Sequence, residues 1–437
     1  MFVNQINIKK RTLTEWSALV LFLLPFAYSF LTELLSLPNV IKFISDFLIF
    51  VSIVVIAYRS SKEGILLLPK TSFALSMIVV LFFLYVLAGY VLNYQSVFYF
   101  LWGVRNNFRF YLAFFAFVLF IKEGDAKKCL KLVDYFFWLH AIVTLIQYFG
   151  FGYNQDYLGG LFGVTKGCNG YVIVFISIVT AKALLSYMNG HEKAVLCFSK
   201  CAIALLLSAL AELKFFIVIF VLILTLATIV TRFSTRKFII ILFSFLMISV
   251  AYTILIMLFD HFSNFLSFDY LVNELFRENY ASSEDVGRFT SIPIISERFL
   301  TTFPERLLGM GIGNCDTSAI SIFNTAFYDR YVDIHYSVFS VSFLFLETGF
   351  IGLTIFISFF VVSLTKAIKA LKRKTGNLLF NQMGLVMSIL CFILMFYNSS
   401  LRTEAGYMVY FVLALPFIGM NNSDSYAPAA AVDIEIN

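Results

Sequence analysis

The chain has 437 residues, of which 60% are hydrophobic and only 13% are charged, and its mean hydropathy is +0.89. A soluble globular protein carries roughly 25% charged residues, so this composition excludes that class and indicates a multi-pass membrane protein. The formal net charge of +6 arises from lysines and arginines placed beside apolar runs, which argues against nucleic acid as a partner.

Twelve apolar runs approach the length of about 20 residues that a helix needs to cross a bilayer. In chain order they cover residues 15–35, 39–58, 70–92, 105–121, 132–152, 169–187, 194–211, 213–231, 238–259, 336–364, 376–397 and 401–420. The predicted fold class is therefore all-α, a polytopic membrane protein with about 12 transmembrane helices. Helices 1 to 9 occupy residues 1–259, a large loop residues 260–335, helices 10 to 12 residues 336–420, and a disordered tail residues 421–437.

The positions of lysine and arginine predict the orientation of these helices. If the amino terminus is cytoplasmic, 20 of the 32 fall on the cytoplasmic side and 11 on the external side, and Lys200 lies within a run. Because positive charge is enriched in cytoplasmic loops, we predict that both termini are cytoplasmic and that the large loop is external, which means periplasmic in a bacterium. The first run lacks a small-residue cleavage site, and we expect it to be retained as a span.

The external loop is the longest polar segment of the chain. Residues 260–336 contain 11 Asp and Glu against five Arg and no Lys, so the arginines are individually placed rather than part of a basic coat. Arginine suits bidentate contacts with phosphate, which makes Arg288 and Arg306 candidate ligands for an anionic substrate. Within the same loop, the apolar stripe from Phe268 to Tyr280 predicts an amphipathic helix lying on the membrane or on other spans.

Further cationic residues lie at the external ends of predicted helices. Arg105 and Arg109 are four residues apart, so they share a helix face and repel each other, and a bound anion would relieve that repulsion. The alternative is that both side chains extend to the lipid headgroups. Lys214 and Arg402 are also external, but each has a carboxylate two residues away, so local ion pairs are the alternative to substrate binding.

Glycines and a histidine complete the candidate site. Gly309, Gly311 and Gly313 precede no lysine and follow no strand, so they fit neither nucleotide-binding motif, and a turn or close packing explains them. His335 opens the tenth apolar run, and an imidazole near neutral pH can accept a proton from a sugar hydroxyl. The alternative is a structural histidine at the interface.

Six cysteines are scattered along the chain without the spacing of a metal site, and we expect neither a metal nor another cofactor. Cys197 and Cys201 are four residues apart inside an apolar run, where small packing residues explain them. Cys168 and Cys315 are both external and could form a disulfide, although nothing in the sequence resembles a disulfide framework.

Three motifs, in order, resemble those of a known superfamily. They are Gly287-Arg288, the turn Leu308-Gly-Met-Gly-Ile-Gly313, and His335 followed by Glu347-Thr-Gly349-Phe-Ile-Gly352. They resemble the Gly-Arg, Gly-x-Gly and His followed by Glu-x-Gly-x-x-Gly pattern of bacterial O-antigen and capsular polysaccharide polymerases and O-antigen ligases, which share a many-span fold with one large external loop. The chain looks most like an O-antigen polymerase. Lys214 departs from the pattern, because related proteins often have arginine there.

The resemblance implies a glycosyltransferase whose donor is an undecaprenyl-pyrophosphate-linked oligosaccharide, acting at the periplasmic face of the bacterial inner membrane. In that superfamily external arginines hold the pyrophosphate, and a histidine is a candidate base in the ligase branch. This implies that Arg288 contacts pyrophosphate and that His335 activates the acceptor. The remaining substrate-binding residues are assigned by position: Arg105, Arg109, Lys214, Arg306 and Arg402.

The expected reaction needs no metal or nucleotide, because polyprenyl pyrophosphate is a good leaving group once its charge is held. The expected partners are the lipid-linked oligosaccharide, membrane lipid and a chain-length regulator protein. Three functions remain open: a polymerase that adds a growing glycan to the next lipid-linked repeat unit, a ligase that adds it to lipid A core, and a flippase or secondary transporter. Transporters tend to show related halves with broken spans and binding residues near the midplane, whereas this sequence has no convincing repeat and its charged residues cluster externally, which argues against a transporter. Between the other two we favour the polymerase, because the polymerase family is highly divergent and this chain matches its motifs only loosely.

Overall fold

The computed structural model describes residues 12–63, 72–258, 285–318 and 320–421, together with residues 267, 269, 272, 273 and 276. The amphipathic helix predicted from Phe268 to Tyr280 lies almost entirely outside these residues, and so does the predicted tail after residue 421. In the part of the chain that is described, all regular secondary structure is helical.

Among the described residues, nine α-helices precede the long polar segment: α1 (Leu13–Ser29), α2 (Phe43–Glu63), α3 (Phe73–Leu92), α4 (Val97–Phe120), α5 (Glu123–Leu145), α6 (Asn169–Met188), α7 (Ala194–Leu210), α8 (Phe216–Val230) and α9 (Thr235–Leu258). Three short helices lie in the described part of that segment: α10 (Ser291–Arg298), α11 (Phe303–Leu308) and α12 (Ala326–Tyr331). Three long helices follow it: α13 (Ser340–Arg373), α14 (Leu378–Tyr397) and α15 (Ala405–Asn421).

Eight of the described helices are long and apolar enough to cross a membrane, namely α1, α2, α3, α5, α6, α9, α13 and α14. The apolar helices α7, α8 and α15 are shorter, and α4 is long enough but contains Arg105, Asn106, Asn107 and Arg109. The chain is therefore a helical, multi-pass membrane protein.

Two predicted helix starts were wrong. Helix α4 begins at Val97 rather than near residue 105, and α5 begins at Glu123 rather than near residue 132. The extension of α5, residues 123–131, is rich in charged residues, whereas the extension of α4, residues 97–104, is apolar and precedes the polar residues from Arg105 to Arg109. The start of α5 carries an ion pair of 2.7 Å between Lys127 and Glu123, which lie four residues apart, so this turn is stabilised without being apolar.

Helix α15 lies at the centre of the bundle and packs against α4 and α14. Its aromatic side chains interlock with those of α4: the ring centroids of Phe110 and Tyr407 are 5.0 Å apart, and those of Tyr111 and Tyr410 are 5.5 Å apart. All four side chains are buried, so this short helix is held by aromatic packing on several sides.

Contacts between connections divide the bundle into two ends. The end that carries residues 285–335 is called here the loop end. Its connections are linked by hydrogen bonds and one ion pair: Glu33 with the Val164 amide (3.0 Å), Asp46 with Arg105 (2.7 Å), Gln95 with the Ile312 carbonyl, and Ser340 with the Asn398 carbonyl (2.9 Å). The opposite end joins Glu15 to Lys122, Glu123 to Asn377 (3.0 Å) and Asn189 to Gln382 (2.6 Å). These contacts fit helices that run in alternating directions through the bundle.

Helix α13 is interrupted at Gly349, whose φ of 60° and ψ of −166° are not helical. The turn after α11 fills the interruption: the Met310 amide donates to the Leu346 carbonyl and the Gly311 amide to the Glu347 carbonyl, each at 2.9 Å. A Cβ on Gly349 would overlap the Leu307 carbonyl. The glycine-rich segment therefore serves close packing, as its sequence indicated, and it anchors the polar segment to a membrane helix.

Candidate functional site

A cavity of about 910 Å³ lies at the loop end. Four parts of the chain form it: the connection into α6, the turn between α7 and α8, the start of the described polar segment with the approach to α13, and the junction of α14 and α15. The residues that line it include Asp156, Lys166, Tyr171, Glu212, Lys214, Phe215, Arg288, Phe289, His335, Phe392, Ile393, Phe396, Tyr397, Asn398, Ser399, Ser400 and Thr403.

One wall of the cavity is apolar. Phe289 of the polar segment stacks on Phe396 of α14, with ring centroids 4.8 Å apart and an angle of 12° between the planes. Phe392 and Ile393 continue the wall one helical turn earlier along α14. This apolar surface suits a hydrocarbon chain.

Arg288 lies next to this wall and is partly buried. Its guanidinium carbon is 5.6 Å from the ring centroid of Phe339 and 5.7 Å from that of Tyr397. Tyr397 in turn stacks on Phe215, with centroids 5.1 Å apart. Aromatic faces favour a cation and restrict its rotamers, so the guanidinium is held in place at the cavity.

His335 lines the cavity from the segment that leads into α13. Its backbone is left-handed, with φ at 57°, and its Nδ1 is 3.2 Å from Oδ1 of Asp285. The carboxylate is fully buried, whereas the imidazole is 43% exposed. The histidine therefore has one side against a buried acid and the other open to the cavity.

Two lysines reach the cavity from other directions. Lys214 follows Glu212 and Leu213 in the tight turn between α7 and α8. Lys166 is exposed in the connection before α6, where the Gly167 amide donates to the Asp156 carbonyl at 3.0 Å and Asn169 donates to the Asp156 carboxylate at 2.8 Å. With Arg288 the lining has three cations, against the two carboxylates of Asp156 and Glu212.

The junction of α14 and α15 supplies uncharged polar groups. The Asn398 carbonyl accepts from the amide and the hydroxyl of Ser340, and its side-chain oxygen accepts from the Ser400 amide at 3.0 Å. Its Nδ2 is buried and has no hydrogen-bond partner in the described part of the chain. With Ser399, Ser400 and Thr403, this junction gives the cavity donors and acceptors of the kind that bind sugar hydroxyls.

Of the seven residues that the sequence nominated, three line this cavity: Lys214, Arg288 and His335. The other four lie elsewhere at the loop end. Arg105 pairs with Asp46 at 2.7 Å, and its guanidinium lies over the Trp102 ring at 4.8 Å. Arg306 donates to the carbonyls of Leu300 and Thr301, at 2.9 and 3.4 Å, after the end of α10.

Arg109 and Arg402 belong to a buried network below the cavity. Arg109 lies 3.3 Å from Glu404, which also accepts from the Tyr171 hydroxyl at 2.7 Å. Arg402 lies 3.9 Å from Asp316, and its guanidinium carbon is 3.2 Å from the ring centroid of Phe343.

The network changes two expectations drawn from spacing. Arg105 and Arg109 do share one helix, but each has its own carboxylate, so no anion is needed to offset their repulsion. Glu404 is paired, although with Arg109 from α4 and not with its neighbour Arg402. Burial favours the neutral form of Glu404, but the Arg109 charge outweighs it and lowers the pKa of this carboxyl to about 2.

Cys168 and Cys315, which the sequence predicted to be external, are separate, buried thiols rather than a disulfide. Burial raises the pKa of Cys168 to about 12 and that of Cys315 well above its ordinary value. Neither thiol is suited to act as a nucleophile.

Sequence reasoning missed Lys166, Asp285 and Asn398. Lys166 lies in a short connection with Gly163 and Gly167 close by, a pattern that could have identified a constrained external lysine. Asp285 is one of 11 acids in the loop, so nothing but its contact with His335 distinguishes it. Asn398 begins an Asn-Ser-Ser interruption between two apolar helices, a signal that was visible in the sequence.

No protein-family model matches the chain, and no curated protein is similar to it. The resemblance to polysaccharide polymerases and ligases therefore depends on the motifs quoted above. The geometry adds a chemical description of the site: cationic groups, one imidazole and uncharged polar groups line one cavity together with an apolar wall. Such a cavity fits an amphiphile with an anionic head group.

Proposed function

We propose that this chain is an O-antigen polymerase or a polymerase of a related surface polysaccharide. It transfers a growing glycan from undecaprenyl pyrophosphate to the next lipid-linked repeat unit. The observation that carries the proposal is the amphiphilic cavity, in which Arg288, His335 and Lys214 come together beside the aromatic wall. Sequence motifs point to Arg288 and His335, and charge at a helix end points to Lys214.

Each part of the donor matches one part of the lining. The prenyl chain lies along Phe289, Phe392 and Phe396, which continue into the apolar surface of α14. The pyrophosphate meets Arg288 and the two lysines, and arginine can bind two phosphate oxygens at once. The sugars contact the polar junction at Asn398. A lipid-linked donor needs an apolar surface, cationic groups and polar groups close together, because its prenyl chain, pyrophosphate and sugars are adjacent.

The reaction is an attack by an acceptor hydroxyl on the anomeric carbon of the donor sugar. A bond forms between the hydroxyl oxygen and that carbon, the bond from the carbon to the pyrophosphate oxygen breaks, and the electron pair leaves with undecaprenyl pyrophosphate. The hydroxyl proton passes to Nε2 of His335, which acts as general base. Arg288 and Lys214 stabilise the charge that develops on the leaving oxygen.

The proposed topology has twelve spans, with both termini in the cytoplasm and the loop end facing the periplasm from the bacterial inner membrane. The contacts at the two ends support it, because every connection that meets the cavity would be periplasmic in this arrangement. In this topology the short helices α7, α8 and α15 also cross the membrane. Neighbouring helices shield them from lipid, or polar turns at their ends extend them across the bilayer. Lysine and arginine enrichment in the remaining connections agrees with the same orientation.

A ligase that transfers finished glycan to lipid A core is the second candidate. The observation that favours it is the pairing of His335 with Asp285, because an acceptor-activating histidine is the feature associated with the ligase branch of the superfamily. Both candidates share the donor and the cavity, and they differ in the acceptor.

A surface-glycan gel from a strain lacking this gene distinguishes the candidates. Loss of a polymerase leaves core that carries a single repeat unit. Loss of a ligase leaves bare core, with polymerised glycan retained on the carrier lipid. An unchanged ladder would contradict transfer to this polymer and favour a transporter or a separate polysaccharide. Re-expression of the unsubstituted chain from a plasmid is the control.

A further inference from the structure

Asp285 is a buried carboxylate to which no role has yet been given. Its side chain is fully buried and its Oδ1 lies 3.2 Å from Nδ1 of His335. The Val286 amide donates to the Ile334 carbonyl at 3.1 Å. This hydrogen bond links the backbone next to Asp285 to the backbone next to His335. A buried carboxylate is costly unless charged or hydrogen-bonding groups surround it, and the imidazole is one such group.

The imidazole is oriented with Nδ1 inward. Nδ1 is buried and makes no well-aligned hydrogen bond with any described residue, while the side chain as a whole is 43% exposed. The Oδ1 of Asp285, 3.2 Å away, is an acceptor within reach of a proton on Nδ1. Because Nδ1 is buried and His335 lines the cavity with a partly exposed ring, we take the exposed edge to be the one that carries Nε2.

The backbone at His335 supports a functional reason for this placement. Its φ of 57° is unusual for a residue with a side chain. The His335 amide donates to the Val332 carbonyl and the Val338 amide to the His335 carbonyl, both at 3.1 Å, and these bonds hold the turn. Such strained conformations persist where the surrounding structure fixes them, and they cluster at functional sites.

We propose that Asp285 is a positioning residue that holds His335 in the tautomer with its proton on Nδ1, so that the Nε2 lone pair faces the acceptor hydroxyl. This inference rests on the proposed function, in which His335 is the base. In a neutral imidazole one nitrogen donates and the other accepts, and a carboxylate at Nδ1 decides which one does so. The same carboxylate stabilises the imidazolium after Nε2 takes the proton, as in hydrolases that pair histidine with aspartate.

The tautomer can be measured without any assay of transfer. The chain has four histidines, so histidine labelled with nitrogen-15 gives few signals in the reconstituted full-length protein, and His335→Gln identifies the signal of His335. In the signal of the neutral ring we expect a protonated Nδ1 and an unprotonated Nε2. Asp285→Asn should shift the population towards protonated Nε2, and the exposed Asp329→Asn should leave it unchanged.

A double-mutant cycle tests whether Asp285 acts through His335. With the donor purified from the source strain as substrate, Asp285→Asn should lower kcat by about 10²- to 10⁴-fold with little change in KM. In a His335→Ala background the same substitution should lower kcat by less than about threefold, because the group it positions is gone. Asp285→Glu should retain part of the activity that Asp285→Asn loses. Asp329→Asn, which removes a carboxylate from the same segment, is the matched control.

The possible results separate the inference from the proposed function. Protonated Nε2 in the unsubstituted chain would overturn the inference, and so would an equal loss of activity in both backgrounds of the cycle. If Asp285→Asn does not fold, the tautomer of the unsubstituted chain still decides the point. A chain with protonated Nδ1 that transfers no glycan would contradict the proposed function and leave the pairing of Asp285 with His335 standing.

Discussion

Arginines at the loop end fall into two groups according to what surrounds the guanidinium. Arg109 is almost fully buried, 3.3 Å from Glu404, and Arg402 is buried against Phe343 and Asp316. Arg288 instead lies partly exposed at the cavity, beside the rings of Phe339 and Tyr397. A buried, paired arginine holds the fold together, whereas an arginine at a cavity can exchange water for phosphate.

Substitution of Arg288 should abolish product and leave the protein in place. We expect Arg288→Ala to reduce transfer by about 10²- to 10³-fold, because one preorganised donor to the leaving group is lost. Arg288→Lys should keep part of the activity, since lysine retains the charge without the planar fork. The glycan ladder measures transfer, and an immunoblot of membranes measures the protein.

Arg330→Ala is the matched control, since Arg330 is exposed in α12 of the same segment and lies outside the cavity. It should leave the ladder unchanged. A normal ladder from well-expressed Arg288→Ala would remove Arg288 from the site.

Glu404 predicts a stability effect that depends on pH. Its pKa in the folded chain is about 2, below its ordinary value of 4.5, despite the opposing effect of burial, because of the charge on Arg109. The pairing therefore stabilises the fold above pH 4.5, and this contribution is lost as the pH falls from 4.5 towards 2. Glu404→Gln keeps an acceptor for Tyr171 but leaves Arg109 uncompensated, which should cost about 3–5 kcal/mol at neutral pH.

Thermal unfolding of the detergent-purified chain measures the effect. The midpoint should fall for Glu404→Gln at neutral pH, and the difference from the unsubstituted chain should shrink as the pH falls below 4.5. Asp329→Asn, at an exposed carboxylate, should change stability by less than about 0.5 kcal/mol. Equal midpoints at neutral pH would mean that the pair contributes nothing.

Among the elements, the interrupted helix α13 joins the polar segment to the bundle. The φ and ψ of Gly349 fall in a region that glycine alone adopts readily, and the turn at residues 309–313 packs into the interruption. The Tyr85 hydroxyl of α3 adds to this contact by donating to the Thr348 carbonyl at 2.6 Å. The polar segment is thus fixed to two membrane helices, α3 and α13, at residues 307–313.

Gly349→Ala should prevent accumulation of folded protein. Its Cβ would overlap the Leu307 carbonyl, and a side chain in this conformation costs about 1–3 kcal/mol by itself. Size-exclusion chromatography of a fluorescent fusion measures the folded fraction. Gly89→Ala in α3 is the control, because no atom lies within 4 Å of its added Cβ, and a folded Gly349→Ala would show that the interruption is dispensable.

The helical elements could largely be predicted from the sequence, because apolar runs of membrane length have few alternatives to a helix. Every predicted run overlaps one of the helices of the described residues. The start of α5 could not be predicted from hydropathy, since its first turns are charged, and the predicted start of α4 missed the apolar residues 97–104 that precede Arg105. The interruption at Gly349 was also invisible, because it depends on a turn 40 residues away in sequence packing against it.

For the whole molecule, the two ends of the bundle make the proposed topology testable. All six native cysteines are buried, so they should contribute little to labelling of the intact protein. Arg330→Cys, at the loop end, should react with a membrane-impermeant maleimide in intact spheroplasts. Lys372→Cys, at the other end of α13, should react only after lysis. The reverse pattern would invert the topology.

The site was less predictable than the fold because its members come from four distant parts of the chain. Motifs nominated Arg288 and His335, and charge near a helix end nominated Lys214. The same criterion also nominated Arg109 and Arg402, which the structure places in a buried network, because charge and position alone do not reveal which carboxylate is near. Asp285 and Lys166 became visible once the segments were brought together.

The size of the cavity limits what a polymerase of the proposed kind could recognise. A volume of about 910 Å³ is that of a pocket for one small ligand, enough for a pyrophosphate and the sugars beside it but not for a polymer of many repeat units. Short and long glycans would therefore present the same reducing end to Arg288 and His335. Such an enzyme would not distinguish glycans by their number of repeat units. The length distribution of its product must then be set outside this cavity, by the rate at which the glycan is released or by a partner protein that binds the polymer.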